Sequence, residues 1–255
     1  MKALSLVTAV ILTAVGTAAV GQEQKVLNAD QLVVEHDLIF EANSSEPFTG
    51  AVVEYWPGGQ KKEEIEIRDG RKHGKWTSWH ENGQKAMEGE YRDGKQHGKG
   101  AKWHKNGGKA LEGEWRDGEK HGKFTRWYED GQKAAEGEYR DNEWFGKWTW
   151  WYENGQKEWE GEYRDGERHG KWTEWYENGQ KKKEGEYRDG RWHGKWTWWY
   201  ENGQKEEEGE YLNGEKQGIW YEWYENGQKD SEIEWRDGHV ANLIKSWRED
   251  GTRVK

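Results

Sequence analysis

The sequence predicts an all-β protein, an elongated single-layer antiparallel β-meander assembled from eight β-hairpin repeats of 24 residues. Three observations predict it. The glycine that precedes Lys-Trp or its equivalent recurs at Gly50, Gly74, Gly98, Gly122, Gly146, Gly170, Gly194 and Gly218, always 24 residues apart. Two bend dipeptides alternate along this period: Asn-Gly, as at 154–155, and Asp-Gly, as at 165–166. The segments between the bends carry Trp, Tyr and Thr, residues that suit strands, and no proline interrupts the chain after Pro57.

Taken in order, residues 1–21 form a charged start followed by an apolar run, "MKALSLVTAVILTAVGTAAVG". This is the pattern of a secretory signal peptide, with cleavage after Gly21 or Ala19. The expected localisation is export to the periplasm, envelope or medium, with an uncleaved N-terminal membrane anchor as the alternative. No other run is apolar enough to insert in a bilayer. Residues 22–49 contain the most aliphatic stretch, "LVVEHDLIF", and are expected to supply capping strands for the first edge of the sheet. Residues 50–241 hold the eight repeats. Residues 242–255 form a degenerate half-repeat in which Leu243, Ile244 and Val254 replace aromatics, as a C-terminal cap would.

Composition decides what the core is made of. Charged residues are 35% of the chain and the mean hydropathy is -1.41, values that point toward disorder on their own. The 21 Trp and 12 Tyr argue against it. Between residues 70 and 240 the only aliphatic or thioether side chains larger than Ala are Met87, Leu111, Leu212, Ile219, Ile233 and Val240, so the core has to be aromatic. If Asn-Gly forms a two-residue type I′ turn, with both residues at positive φ, the register follows. Lys147 then faces Glu162, Trp148 faces Gly161, Trp150 faces Trp159 and Tyr152 faces Lys157. One face carries Trp148, Trp150, Tyr152 and Tyr163; the other carries Lys147, Thr149, Trp151 and the glutamates.

The segment "EGEWRDGEKHGKFT", 112–125, resembles the membrane occupation and recognition nexus (MORN) repeat. The 24-residue period with "WYENGQK" is more similar to its bacterial variant, whose members include YwqK-type antitoxins of toxin–antitoxin systems. The lead-in "EPFTGAVVEYWPGGQKKE", 46–63, is similar to the first repeat of such proteins, and the resemblance covers residues 46–255. It implies a β-hairpin meander that mediates interactions without catalysis. The high Trp content and the export signal depart from the family's usual pattern.

The residues themselves also point away from catalysis. A net charge of -10 with interleaved signs disfavours nucleic acid as a partner. Without Cys there are no disulfides or thiolate sites. The recurring His73, His97, His121, His169 and His193 lie two strands apart, roughly 10 Å, too far to share one metal ion, and are expected to cap bends. His80 and His104 stand where other repeats have Tyr. The glutamate column Glu88, Glu112, Glu136 and Glu160 repeats one environment with cations nearby, whereas catalysis calls for one unlike, perturbed site. No catalytic residue, cofactor or metal ligand is expected.

Aromatic residues supply the candidate binding surface. One column, including Trp151, Trp175 and Trp199, is regular. Trp144, Phe145, Trp150, Trp159, Trp192 and Trp198 are extra, because neighbouring repeats carry Lys, Arg, Glu or Ala there, or His at the Phe145 position. Trp concentrates at binding hot spots. The expected function is therefore an exported, non-enzymatic repeat protein that binds another protein through these nine residues, with antitoxin-like neutralisation as one form. A polysaccharide-binding module that stacks sugars on Trp and a structural spacer are the alternatives.

Overall fold

The computed structural model describes residues 24–254. The signal segment read at 1–21 lies outside the described residues. Eighteen strands form one long sheet, and a separate two-stranded ribbon pairs Leu32–Glu35 with Leu38–Glu41. From Gly50–Tyr55 to His239–Ser246 every strand pairs antiparallel with the next in sequence, so the repeats form a continuous meander. Among the described residues the single helical element is a 3-10 turn at Ala29–Gln31, and no helix is long and apolar enough to cross a membrane.

The first edge is covered by Val26–Asn28, which runs parallel to residues 51–53. The aliphatic 32–41 ribbon folds over the end of the sheet, and Ile39 donates its N–H to Gly70 O at 2.8 Å. Leu32 and Ile39 pack against a small aliphatic core of Leu27, Phe48, Val52, Ile65 and Ile67. Beyond this end the core is aromatic: Phe124, Trp148, Trp172, Tyr187, Trp196, Tyr211 and Trp220 are all buried, with Trp196 and Trp220 at 0% exposure.

One repeat shows the local rules. Glu143–Trp151 pairs with Lys157–Arg164, and Lys147↔Glu162, Trp148↔Gly161 and Trp150↔Trp159 all stand in the expected register. The fourth expected pair does not form. Lys157 faces Trp151, because a bulge follows Trp150, and Tyr152 lies in the turn. The turn is a four-residue one: Gly155 N–H donates to Tyr152 O at 3.0 Å and Tyr152 N–H to Gln156 O at 2.9 Å. Only Gly155 has positive φ, at 81°. Asn154 keeps negative φ because its side chain is committed elsewhere. Its Oδ1 accepts from Gln156 N–H at 2.9 Å, and its Nδ2 donates to Glu177 O in the next repeat at 2.6 Å. The type I′ turn lies instead at the opposite bend, where Asp165 and Gly166 have φ of 50° and 75°.

Successive hairpins are joined through a second irregularity. Between Lys157–Arg164 and Glu167–Trp175, Glu160 faces Thr173 and Glu162 faces His169, so Gly170, Lys171 and Trp172 together oppose Gly161. Gly170 sits at φ 67° in this bulge, a conformation open to glycine without strain. The extra residues carry the Trp172 indole back over the preceding repeat, where an ideal Cβ on Gly161 would lie 1.9 Å from Trp172 Cε3. The same overlap places Trp148 on Gly137, Trp196 on Gly185 and Trp220 on Gly209, at 2.1 to 2.2 Å. Thus the indole that covers Gly161 is not its register partner Trp148, whose ring leans one repeat further back.

Tyr rings close the gaps in this row edge-on. Tyr163 and Tyr187 both meet Trp172 at centroid separations of 5.5 Å, and Tyr211 meets Trp220 at 5.0 Å. At the long turns, Tyr152 OH donates to Trp175 O at 2.9 Å and Tyr176 OH to Trp199 O at 2.9 Å. His80 and His104 occupy this column and keep the contact, with Nε2 at 3.0 Å from Trp103 O and 2.9 Å from Trp127 O.

Gly161→Ala is expected to destabilise the array by about 1–3 kcal/mol, because the added methyl must displace a fully packed ring. Urea denaturation followed by circular dichroism measures this, and an unchanged midpoint would show that the indole has room to move.

Candidate interaction surface

Alternation along the strands gives the sheet two unlike faces, and the nine residues singled out from the sequence divide between them. Trp144, Trp150, Trp159, Trp192 and Trp198 lie on the aromatic face, over or beside the buried row. Trp151, Trp175, Trp199 and Phe145 lie on the opposite, charged face. All nine are half-buried.

On the aromatic face the five indoles form two groups. Trp144 stacks on Trp148 at 4.5 Å and is nearly parallel to Trp150 and Trp159, with interplanar angles of 20° and 12°. Trp150 and Trp159 stack at 5.7 Å across the strand pair. Trp159 continues onto Trp172 at 4.8 Å. The second group is Trp192 on Trp196 at 4.8 Å, with Trp198 tilted beside it at 5.4 Å. Between the groups stand the Lys183–Glu174 ion pair, at 2.9 Å, and Arg168, whose guanidinium lies 4.5 Å from the Trp172 ring. Arg168 Nη1 and Trp192 Nε1 both donate to Tyr187 OH, at 2.9 and 2.8 Å. Burial pushes the Tyr211 hydroxyl well above the usual phenol range, so it stays neutral. Trp150 Nε1 is buried without a hydrogen-bond partner, which leaves one polar cost unmet at the centre of the first group.

The columns explain how these rings fit without special scaffolding. The position of Trp144 and Trp192 is a cation lying over a core ring in four other repeats, as with Lys120 over Tyr139 at 4.7 Å and Lys216 over Trp220 at 3.9 Å, and Gln96 in one. The positions of Trp150 and Trp159 are elsewhere the Glu174–Lys183 ion pair. Sequence inspection missed these cations as the frame of the aromatic groups; the signal was their place in the same 24-residue columns.

The charged face is regular throughout. Lys157 lies 5.4 Å from the Trp175 ring of the next repeat and 2.7 Å from Glu160 Oε2, and Lys147 reaches Glu160 Oε1 at 3.0 Å. Lys133 over Trp151 and Lys181 over Trp199 repeat the motif at 5.9 and 5.5 Å. Partial burial raises the pKa of Glu160, but its two lysines outweigh that and hold it below the usual carboxylate range; Glu184 and Glu208 behave alike. Phe145 takes the place of a histidine and lies 3.6 Å from the Arg140 guanidinium. The histidines of that column reach the next short turn, Asp-Gly at 93 and 117 and Asp-Asn at 141: His73, His97 and His121 Nδ1 lie 3.6, 3.5 and 3.4 Å from Asp93, Asp117 and Asp141 Oδ1. Among the described residues no group of three or more His, Asp or Glu side chains is arranged to hold a metal ion.

The MORN repeat variant family matches six segments, 72–93, 120–141, 146–165, 168–189, 192–213 and 216–237, together just over half of the chain. No curated protein matches it.

The lowered carboxylates set a pH dependence. A depressed folded-state pKa gives stability that is complete above the unfolded value, near 4.5 for Glu, and is lost as pH falls through the folded value. Lys147→Met with Lys171→Met is therefore expected to lower the melting temperature at pH 7 but have little effect at pH 3. Thermal scans at the two pH values check this, and an equal loss at both would assign the lysines a packing role instead.

Proposed function

The chain belongs to the MORN repeat variant family, and from that premise we propose that it is an exported, non-enzymatic protein that binds a protein partner in the envelope or outside the cell. Its docking surface on this reading is the aromatic face from Trp144 to Trp198. The observation that carries the reading is the presence of five half-buried indoles at positions where the same scaffold elsewhere uses Lys, Arg and Glu. Half-buried Trp offers a large, rigid contact area at low entropic cost, and such residues dominate interface energetics. Export rests on the leader read in residues 1–21. The absence of catalysis is supported by the repetition in the glutamate column, in which each carboxylate from Glu88 to Glu208 meets the lysine three residues before it, and Glu160, Glu184 and Glu208 meet a second lysine as well. Antitoxin-like neutralisation, implied by the sequence resemblance, is the special case in which the captured protein is a toxin.

The scaffold provides its own control substitutions. Trp150→Glu with Trp159→Lys recreates the Glu174–Lys183 pair, and Trp192→Lys with Trp198→Glu recreates the residues of the following repeat, Lys216 and Glu222. Immobilised protein from residue 22 onward is exposed to envelope and secreted fractions of the source cell, and the retained material is identified by mass spectrometry. The expected result is one stoichiometric protein that both double variants lose at least tenfold while their melting temperatures stay close to the parent's. Retention unchanged in both variants removes the aromatic face from the role. Retention of wall polysaccharide alone replaces the protein partner with a glycan.

A further inference from the structure

The row of rings laid on glycines is interrupted once inside the array. The repeat that begins at Gly98 carries Gly100 where the first repeat has Val52 and the others have Trp76, Phe124, Trp148, Trp172, Trp196 and Trp220. In the following repeats a Cβ added to the underlying glycine would strike the covering ring: 2.3 Å at Gly113 and 2.1 Å at Gly137. At Gly89, under the missing ring, the nearest neighbours of such a Cβ are Trp76 Cε3 at 3.8 Å and Gly100 Cα at 3.9 Å. A cavity of about 120 Å³ stands in that place, lined by Trp76, Met87, Gly89, Tyr91, Gly100 and Trp115 among others.

The cavity has the attributes of a receptor. Fully apolar cavities near this size, about 150 Å³, take up benzene; here Glu90, Gln96, His97 and Lys102 stand in the lining beside the rings. Flat aromatic walls stand on two sides, Trp76 with Tyr91 at one and Trp115 at the other. Where the row is complete, the ring N–H of Trp148, Trp196 and Trp220 donates to the carbonyl ten residues earlier, Glu138, Glu186 and Glu210, at 3.0, 3.0 and 3.2 Å. The corresponding residue here, Glu90, lines the cavity. The columns that frame the aromatic face carry Lys72, Lys102, Lys120 and Arg126 around this site, with neutral Gln96 in the cavity lining and one carboxylate, Glu63, which accepts from the Trp76 ring N–H at 2.6 Å; Glu174, Glu207 and Glu222 belong to later repeats. The same fold thus shows what fits, an indole, and its rim shows what should flank it.

We propose that the cavity at Gly100 is a receptor slot for a tryptophan side chain presented by an acidic segment of a partner protein. The identity of the carrier rests on the reading of the chain as a protein-binding array. The slot's preference for indole does not, and it lies outside the 144–198 surface.

Met87 lines the slot and is the chain's only methionine besides Met1, so its methyl group is a single reporter. Indole titrated into methyl-labelled full-length protein should shift the Met87 resonance saturably by ring current. Gly100→Trp should abolish the response, with Met87 already shifted. Where that variant fails to fold, 1-methylindole, which has no N–H to donate, should bind the parent about fivefold to tenfold more weakly than indole, the factor expected for one lost hydrogen bond. Trp150→Glu with Trp159→Lys should still bind indole, which separates this site from the larger surface. An acetylated Glu-Trp-Glu peptide should bind more tightly than Lys-Trp-Lys. No saturable Met87 shift, or an undiminished one in Gly100→Trp, overturns the slot. Equal affinity for indole and 1-methylindole overturns its recognition of the ring N–H, and equal affinity for the two peptides overturns the acidic carrier.

Discussion

The structure depends on one contact, an indole laid flat across a glycine of the preceding repeat. A single-layer sheet has no second layer against which to bury its apolar face. Here each repeat supplies the cover for the one before it. Trp172 closes over Gly161 because Gly170 adopts a left-handed conformation and adds residues to its strand, which moves the ring backwards by one repeat. The glycine under the ring has to lack a side chain, and the bulge glycine has to reach positive φ. The invariance of the 24-residue step follows, since one inserted residue would aim the next indole at a glutamate and rotate every later side chain to the wrong face.

The charged face contributes by a different route. Each lysine of the column that includes Lys157 bridges repeats, paired with a glutamate of its own strand and lying over a tryptophan of the next. Exposed ion pairs contribute little individually, and their regular repetition makes this face uniform rather than strongly cohesive. The asymmetry has a consequence for variation. Replacing one Lys–Glu bridge removes a small increment, whereas opening the Trp-on-Gly row leaves a hole, as at Gly100. The aliphatic end follows other rules: Val52, Ile65 and Ile67 bury themselves conventionally beneath the 32–41 ribbon, and the aromatic mechanism takes over from the next repeats.

The repeat, the hairpins, the composition of the two faces and three of four cross-strand pairs were legible because period and alternation are properties of sequence. The turn assignment was not. Asn-Gly has the stronger type I′ propensity, yet the Asn side chain is held by contacts to its own turn and to the neighbouring repeat. An interaction 23 residues away overrides a dipeptide preference, and the Asp-Gly bend, without such a lock, takes the type I′ form. The fourth pair failed for the same reason, since a longer turn shifts Lys157 onto Trp151. The division of the candidate residues between two faces could be derived from alternation for Trp150 and Trp151. It could not be derived for Trp144 and Phe145, which lie beyond the bulge glycine at 146 and lose that phase.

The surplus tryptophans can now be weighed against the scaffold's own needs. Trp144, Trp150 and Trp159 do pack on the buried row, and in that sense they stabilise it. The row is closed as well at Phe124, which lies under Lys120 at 5.9 Å and between Trp115 and Tyr139 and is 3% exposed, the same as Trp148 beneath Trp144. A cation over the ring therefore suffices to cover it there. Indoles at those positions add apolar area to a solvent-facing surface without deepening the burial beneath them. Added apolar area raises the risk of unwanted association, and its concentration in two adjoining groups, framed by the Arg168 and Lys183–Glu174 charges, is the observation on which the proposed docking role of this face rests.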